Sequence, residues 1–152
     1  MNDDAKLAWL RLANVELTPR AAHALLDRFG APQAIFDAAV DDLASVPELS
    51  PDQLDRLVHA DTMPTRHQIA WAQRSDVTII GRDAPEYPAA LRDLPDRPAV
   101  LFVRGELIDT DRFAVALVGT RRPSPYGRQI TARLSRELCD LGLTIVSGGA
   151  VG

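Results

Sequence analysis

Two apolar runs, each closed by a glycine turn, stand one helix-length apart in this 152-residue chain, and that spacing constrains its fold more than any other feature. Phe113-Ala114-Val115-Ala116-Leu117-Val118 runs into Gly119-Thr120-Arg121-Arg122, and Leu143-Thr144-Ile145-Val146-Ser147 runs into Gly148-Gly149-Ala150. Between them Ser124-Pro125 supplies an N-cap and a first helical residue, and Gly142 ends the helix. Ile130, Leu134, Leu138 and Leu141 recur at helical spacing and are expected to face inward. Such a strand–helix–strand unit has parallel strands and a right-handed crossover, which brings both glycine turns to the same edge of the sheet. Ligands of open α/β sheets lie at that edge. Backbone N–H groups, a helix N-terminus, Arg121 and Arg122 converge there, so the expected ligand is a phosphate or a string of them. The first run is apolar at every position, which predicts a strand buried on both faces.

Charge adds a second constraint. The net charge is −4, yet residues 1–75 carry 7 basic and 11 acidic side chains while residues 76–152 carry 10 of each. Six arginines (112, 121, 122, 128, 133 and 136) fall in residues 112–136 with no Asp or Glu among them. Inside an acidic protein that run is a local positive field able to attract a polyanion, and it overlaps the first glycine turn.

The chain divides near residue 75, into 1–75 and 76–152. The first part reads as helical throughout. Leu7, Trp9, Leu10, Leu12 and Ala13 begin an amphipathic segment, Thr18-Pro19 opens a helix carrying Ala22, Leu25, Leu26 and Phe29, and Gly30 closes it. Short helices follow around residues 33–39 and 41–46, Ser50-Pro51 opens the next, and a last one covers about residues 64–74 with Trp71. The stretch from Leu17 to Val58 resembles a pair of helix-hairpin-helix units of the SAM-like kind. In DNA-binding members glycine amides at the hairpins take a phosphate. Here the hairpins read Val15-Glu16-Leu17 and Pro47-Glu48-Leu49, and the glutamates repel phosphate. The helical part is therefore expected to be a packing or protein-contact module.

The second part is α/β: Val77-Thr78-Ile79-Ile80 and Val100-Leu101-Phe102-Val103 are short strands, and Asp109–Arg112 is a polar turn. Gly119-Thr120-Arg121-Arg122-Pro123 is neither G-x-G-x-x-G nor a Walker A loop, so no dinucleotide or nucleotide cofactor is expected. His23, His59 and His67 share no ligand spacing, and no metal is expected either. Cys139 stands alone among Leu138 and Leu141, which predicts a buried structural thiol, no disulfide framework and a cytoplasmic location. No apolar run reaches the roughly 20 residues that span a bilayer.

At this point several marks in order carry a resemblance: Tyr87-Pro88 with Leu91, Pro98 with Leu101 and Arg104-Gly105, Val118-Gly119-Thr120-Arg121, Ser124 with Tyr126-Gly127, and Ser147-Gly148-Gly149-Ala150 with Gly152. Residues 77–152 resemble the DprA/Smf family of bacterial DNA-processing proteins, and the helical part is similar to that family's SAM-like domain. The resemblance implies an α/β fold, a small SAM-like helical domain followed by a partial, extended Rossmann-like parallel sheet. It implies single-stranded DNA binding without sequence preference, protection of incoming strands in natural transformation, loading of the RecA recombinase, and no catalytic residue. It also implies that Arg121 is a principal phosphate contact, with Gly119, Thr120, Ser147, Gly148 and Gly149 lining the same pocket. Arg122 joins them on charge and adjacency. Family members continue past the position of Gly152, so the sheet is expected to be truncated on its C-terminal side. The homodimer of full-length members and much of the DNA affinity are then expected to lie in that further part. Two other classes stay open: a nucleotide-binding enzyme of the same sheet type, such as a phosphoribohydrolase, and a protein-docking module.

Overall fold

Polar caps start three of the helices of the N-terminal part. In the computed structural model, which describes residues 2–150, the Asn2 side chain accepts from the Ala5 N–H at the head of α1 (Asp3–Asn14). Thr18 Oγ1 accepts from the Ala21 N–H at the head of α2 (Pro19–Phe29), and Gly30, at φ 80°, ends that helix. After α3 (Pro32–Asp37) and α4 (Val40–Ala44), Ser50 and Gln53 form a reciprocal capping box at the start of α5 (Pro51–Val58). Gln53 Nε2 also reaches Thr18 Oγ1 at 3.5 Å, so one amide side chain joins the caps of two helices. The last helix of this series is α6 (Met63–Arg74).

These helices enclose a core of Trp9, Leu12, Leu25, Leu26, Ile35, Leu43, Val46 and Leu57. Arg56 seals the first hairpin from outside: its Nε donates to the Val15 carbonyl at 3.0 Å and its Nη2 to the Glu16 carbonyl at 3.3 Å. Glu16 sits there at φ 57°, a backbone region that usually favours glycine, and those two bonds hold it. At the second hairpin the Glu48 carboxylate lies 3.7 Å from Arg20.

Strands β1 (Val77–Gly81) and β2 (Val100–Arg104) pair antiparallel, with Ile79 opposite Phe102, and the short helix α7 (Ala89–Arg92) lies between them in sequence. Alternation sends neighbouring residues of β1 to opposite faces. Ile79 packs with Leu10 of α1 and Ala72 of α6, while Ile80 packs with Ala84 and Tyr87. The β1–β2 pair thus shares its core with the helices, and the first compact unit runs to Glu106.

The second unit begins at Leu107. It holds a 3₁₀ turn (Asp109–Arg112), β3 (Ala114–Ala116), α8 (Pro125–Asp140) and β4 (Thr144–Val146), and β3 and β4 pair parallel, Ala114 with Thr144 and Ala116 with Val146. The fold is α/β with a partial sheet, as the sequence predicts, and the described residues form two two-stranded sheets.

Three expectations about this unit are corrected. The strand covers Ala114–Ala116 rather than residues 113–118, and no residue of the run is buried: Phe113 is 53% and Val118 92% exposed. A run can carry strand propensity at every position, but burial requires covering layers, and among the described residues β4 is the only strand beside it. On α8, Ile130 and Leu138 are half-buried, whereas Leu134 and Leu141 are exposed. Cys139 is exposed as well, not a buried thiol. Val151 and Gly152, the last positions of the resemblance, lie outside the described residues. No helix among the described residues is long and apolar enough to cross a membrane.

Candidate nucleic-acid interface

Pairing of β3 with β4 extends a little past the ladder at both ends. The Thr144 N–H donates to the Phe113 carbonyl at 2.8 Å, and the Leu117 N–H to the Val146 carbonyl at 2.9 Å. Asp111, which no sequence motif marks, clamps the entry side: its Oδ1 accepts from Thr144 Oγ1 and its Oδ2 from the Ile108 N–H, both at 2.9 Å. With the strands parallel and in this register, the chain leaves both of them at the same end of the ladder.

At that end each turn is organised by its own hydroxyl. Thr120 Oγ1 accepts from the Arg122 N–H at 3.2 Å, and Ser147 Oγ accepts from the Gly149 N–H at 3.4 Å. Short local bonds of this sort fold a turn without a tertiary partner. Ser124 then caps α8, its Oγ accepting from the Gly127 N–H at 3.1 Å, with Pro125 as first helical residue.

All seven positions singled out from the sequence, Gly119, Thr120, Arg121, Arg122, Ser147, Gly148 and Gly149, are exposed. A Cβ placed on Gly119, Gly148 or Gly149 would meet nothing within 4 Å. The glycines are therefore not there to admit a neighbouring protein atom. Gly149 has a conformational reason, at φ 67°, and Gly119 and Gly148 leave bare backbone facing open space.

The arginines of residues 112–136 divide by what they touch. Arg133 pairs with Glu137 one turn on at 2.6 Å, Arg136 Nε donates to the Ala132 carbonyl, and Arg112 lies over the Phe113 ring at 4.6 Å. Among the described residues the guanidiniums of Arg121, Arg122 and Arg128 have no ion-pair, hydrogen-bond or ring partner. Charge that is not spent within the protein remains available to an anion, and a guanidinium can take a phosphate bidentately. Arg128, on α8 just past the Ser124 cap, belongs with the two turn arginines by this criterion. Its sequence signal is membership of the acid-free run.

Comparison with known proteins bears on the same segment. A model of the family described as DNA recombination-mediator protein A matches residues 78–152. The chain is similar to the DNA processing protein DprA of Bacillus subtilis, 37% identical over 86 residues, which cover 55% of this chain and 29% of that protein. It is similar to Protein Smf of Escherichia coli, 29% identical over 144 residues, 95% of this chain and 38% of the relative. Protein Smf of Synechocystis is 36% identical over 84 residues, 53% of this chain and 21% of the relative. The aligned part thus spans less than two-fifths of the length of each of these relatives.

Proposed function

Since the chain belongs, through residues 78–152, to the DprA/Smf family of DNA-processing proteins, we propose that it binds single-stranded DNA without sequence preference, shields incoming strands in natural transformation and passes them to the RecA recombinase. One observation carries this reading: two exposed turns with unobstructed glycines follow the same ends of two neighbouring parallel strands. Backbone amides and Arg121 can share a phosphate there, with Arg122 and Arg128 lengthening the positive stripe for the phosphates that follow. Contacts of this type go to the phosphodiester and not to base edges, so they are indifferent to sequence. The role is binding without chemistry.

The test is the affinity for labelled oligo-dT across a salt series, for wild type and Arg121→Ala. The 152-residue chain binds weakly, with dissociation constants of about 1–100 µM at physiological salt. Loss of Arg121 lowers affinity similarly for every sequence and flattens the salt slope by about one unit. An unchanged slope and affinity in Arg121→Ala would leave the glycine turns as packing features and favour a docking module.

A further inference from the structure

We propose that Trp71 and Phe102 form a second contact for single-stranded DNA, a shelf on which unpaired bases stack. The proposal rests on the reading above that the chain binds such strands. The two rings meet edge to face, with centroids 6.1 Å apart and planes inclined by 62°. Both lie in the first compact unit, Trp71 on α6 and Phe102 on β2, and both are about half exposed, at 49% and 45%. The contrast with Trp9 is direct: that indole is 3% exposed and fills the core, so this chain buries a tryptophan when packing requires one.

What surrounds the shelf favours a nucleic-acid strand. Met63, His67, Trp71 and Arg74 recur at spacings of three and four along α6, which places them on one stripe, and all four are exposed. The helix contains no Asp or Glu, although residues 1–75 as a whole carry 11 acidic side chains. Arg66 is exposed on the same helix, and Arg104 lies two residues beyond Phe102 in β2, on the same face of that strand and exposed. Exposed rings with arginines on the same helix and strand are the composition of single-strand binding sites, where bases stack on the rings and cations follow the backbone. A protein partner that docked through apolar contact would call for aliphatic neighbours along the stripe, where His67 and Arg74 stand.

The experiment uses the two tryptophans. With Trp9 in the core, change in tryptophan emission on adding a strand reports on Trp71. The chain is titrated with oligo-dT and with an abasic phosphodiester strand of equal length and charge. Expected results are quenching by oligo-dT but not by the abasic strand, and oligo-dT affinity roughly tenfold lower in Trp71→Ala and in Phe102→Ala. Affinity for the abasic strand stays unchanged in both variants, and Trp71→Phe, which keeps a ring, restores most of the oligo-dT binding. Arg121→Ala, by contrast, weakens both strands. Equal loss of both strands in Trp71→Ala, or oligo-dT bound tightly with neither quenching nor loss, overturns the shelf and leaves the phosphate site standing. Failure of the wild type to bind either strand overturns both.

Discussion

Gly81 lies against the indole of Trp9 so closely that a Cβ on this glycine would stand 2.7 Å from Cδ1 and 2.9 Å from Nε1. Trp9 is 3% exposed and packed in the core, so the indole has little room to yield. Gly81→Ala is therefore expected to destabilise the chain by about 1–3 kcal/mol, the usual cost of overpacking. A urea midpoint lowered without a change in slope would show it, and an unchanged midpoint would mean that α1 and β1 can separate at no cost.

Ser50 and Gln53 cap one helix reciprocally, and Gln53 also reaches Thr18 at the head of another. Ser50→Ala should cost about 0.5–2 kcal/mol. Because Gln53 serves both caps, Thr18→Ala and Gln53→Ala together should destabilise by less than the sum of the single changes. Strict additivity in a double-mutant cycle would show that the 3.5 Å contact carries no energy.

The bare glycines of the two turns allow binding to be separated from folding. An alanine methyl at Gly148 or Gly119 meets no protein atom, so both variants should keep the wild-type circular dichroism and bind oligo-dT less well. Gly149→Ala differs, because φ is 67° there, and a strain of about 1–2 kcal/mol accompanies the loss of affinity. Undiminished binding by Gly148→Ala would mean that no phosphate approaches that amide.

His23 has its pKa held below the ordinary histidine value, first by burial and then by the nearby Arg82 and Arg97, against a smaller opposing pull from Asp27. The folded state thus takes up this proton less readily than the unfolded chain. Stability from this group is complete above about pH 6.5 and is lost as pH falls through the lowered folded value. Urea midpoints measured downward from neutral pH should fall more steeply for the wild type than for His23→Gln, and identical slopes would exclude His23 as a source.

Features written in local chemistry were legible in the sequence. Thr18-Pro19, Ser50-Pro51 and Ser124-Pro125 each became a capped helix start, because a cap needs only its own next few residues. The parallel placement of the two glycine turns was legible too, since the length of the intervening helix leaves no other short connection. Features that depend on partners distant in sequence were not. Val118, Leu141 and Cys139 are of types that usually seek cover, and periodicity cannot say whether cover exists. Nor does the run from Val77 to Ile80 announce that α1 and α6 cover its Ile79 face. Asp111 carries no sequence signal, because one of its bonds goes to Thr144, 33 residues away, and the other to a bare amide.

Every buried residue described lies at or before Tyr87, and residues 107–150 contribute none. Heat capacity on melting tracks the apolar area that becomes wet. A calorimetric trace of this chain would consequently be written almost wholly by its first 106 residues. Substitutions around Arg121 are expected hardly to move the peak, whatever they do to the proposed oligo-dT binding.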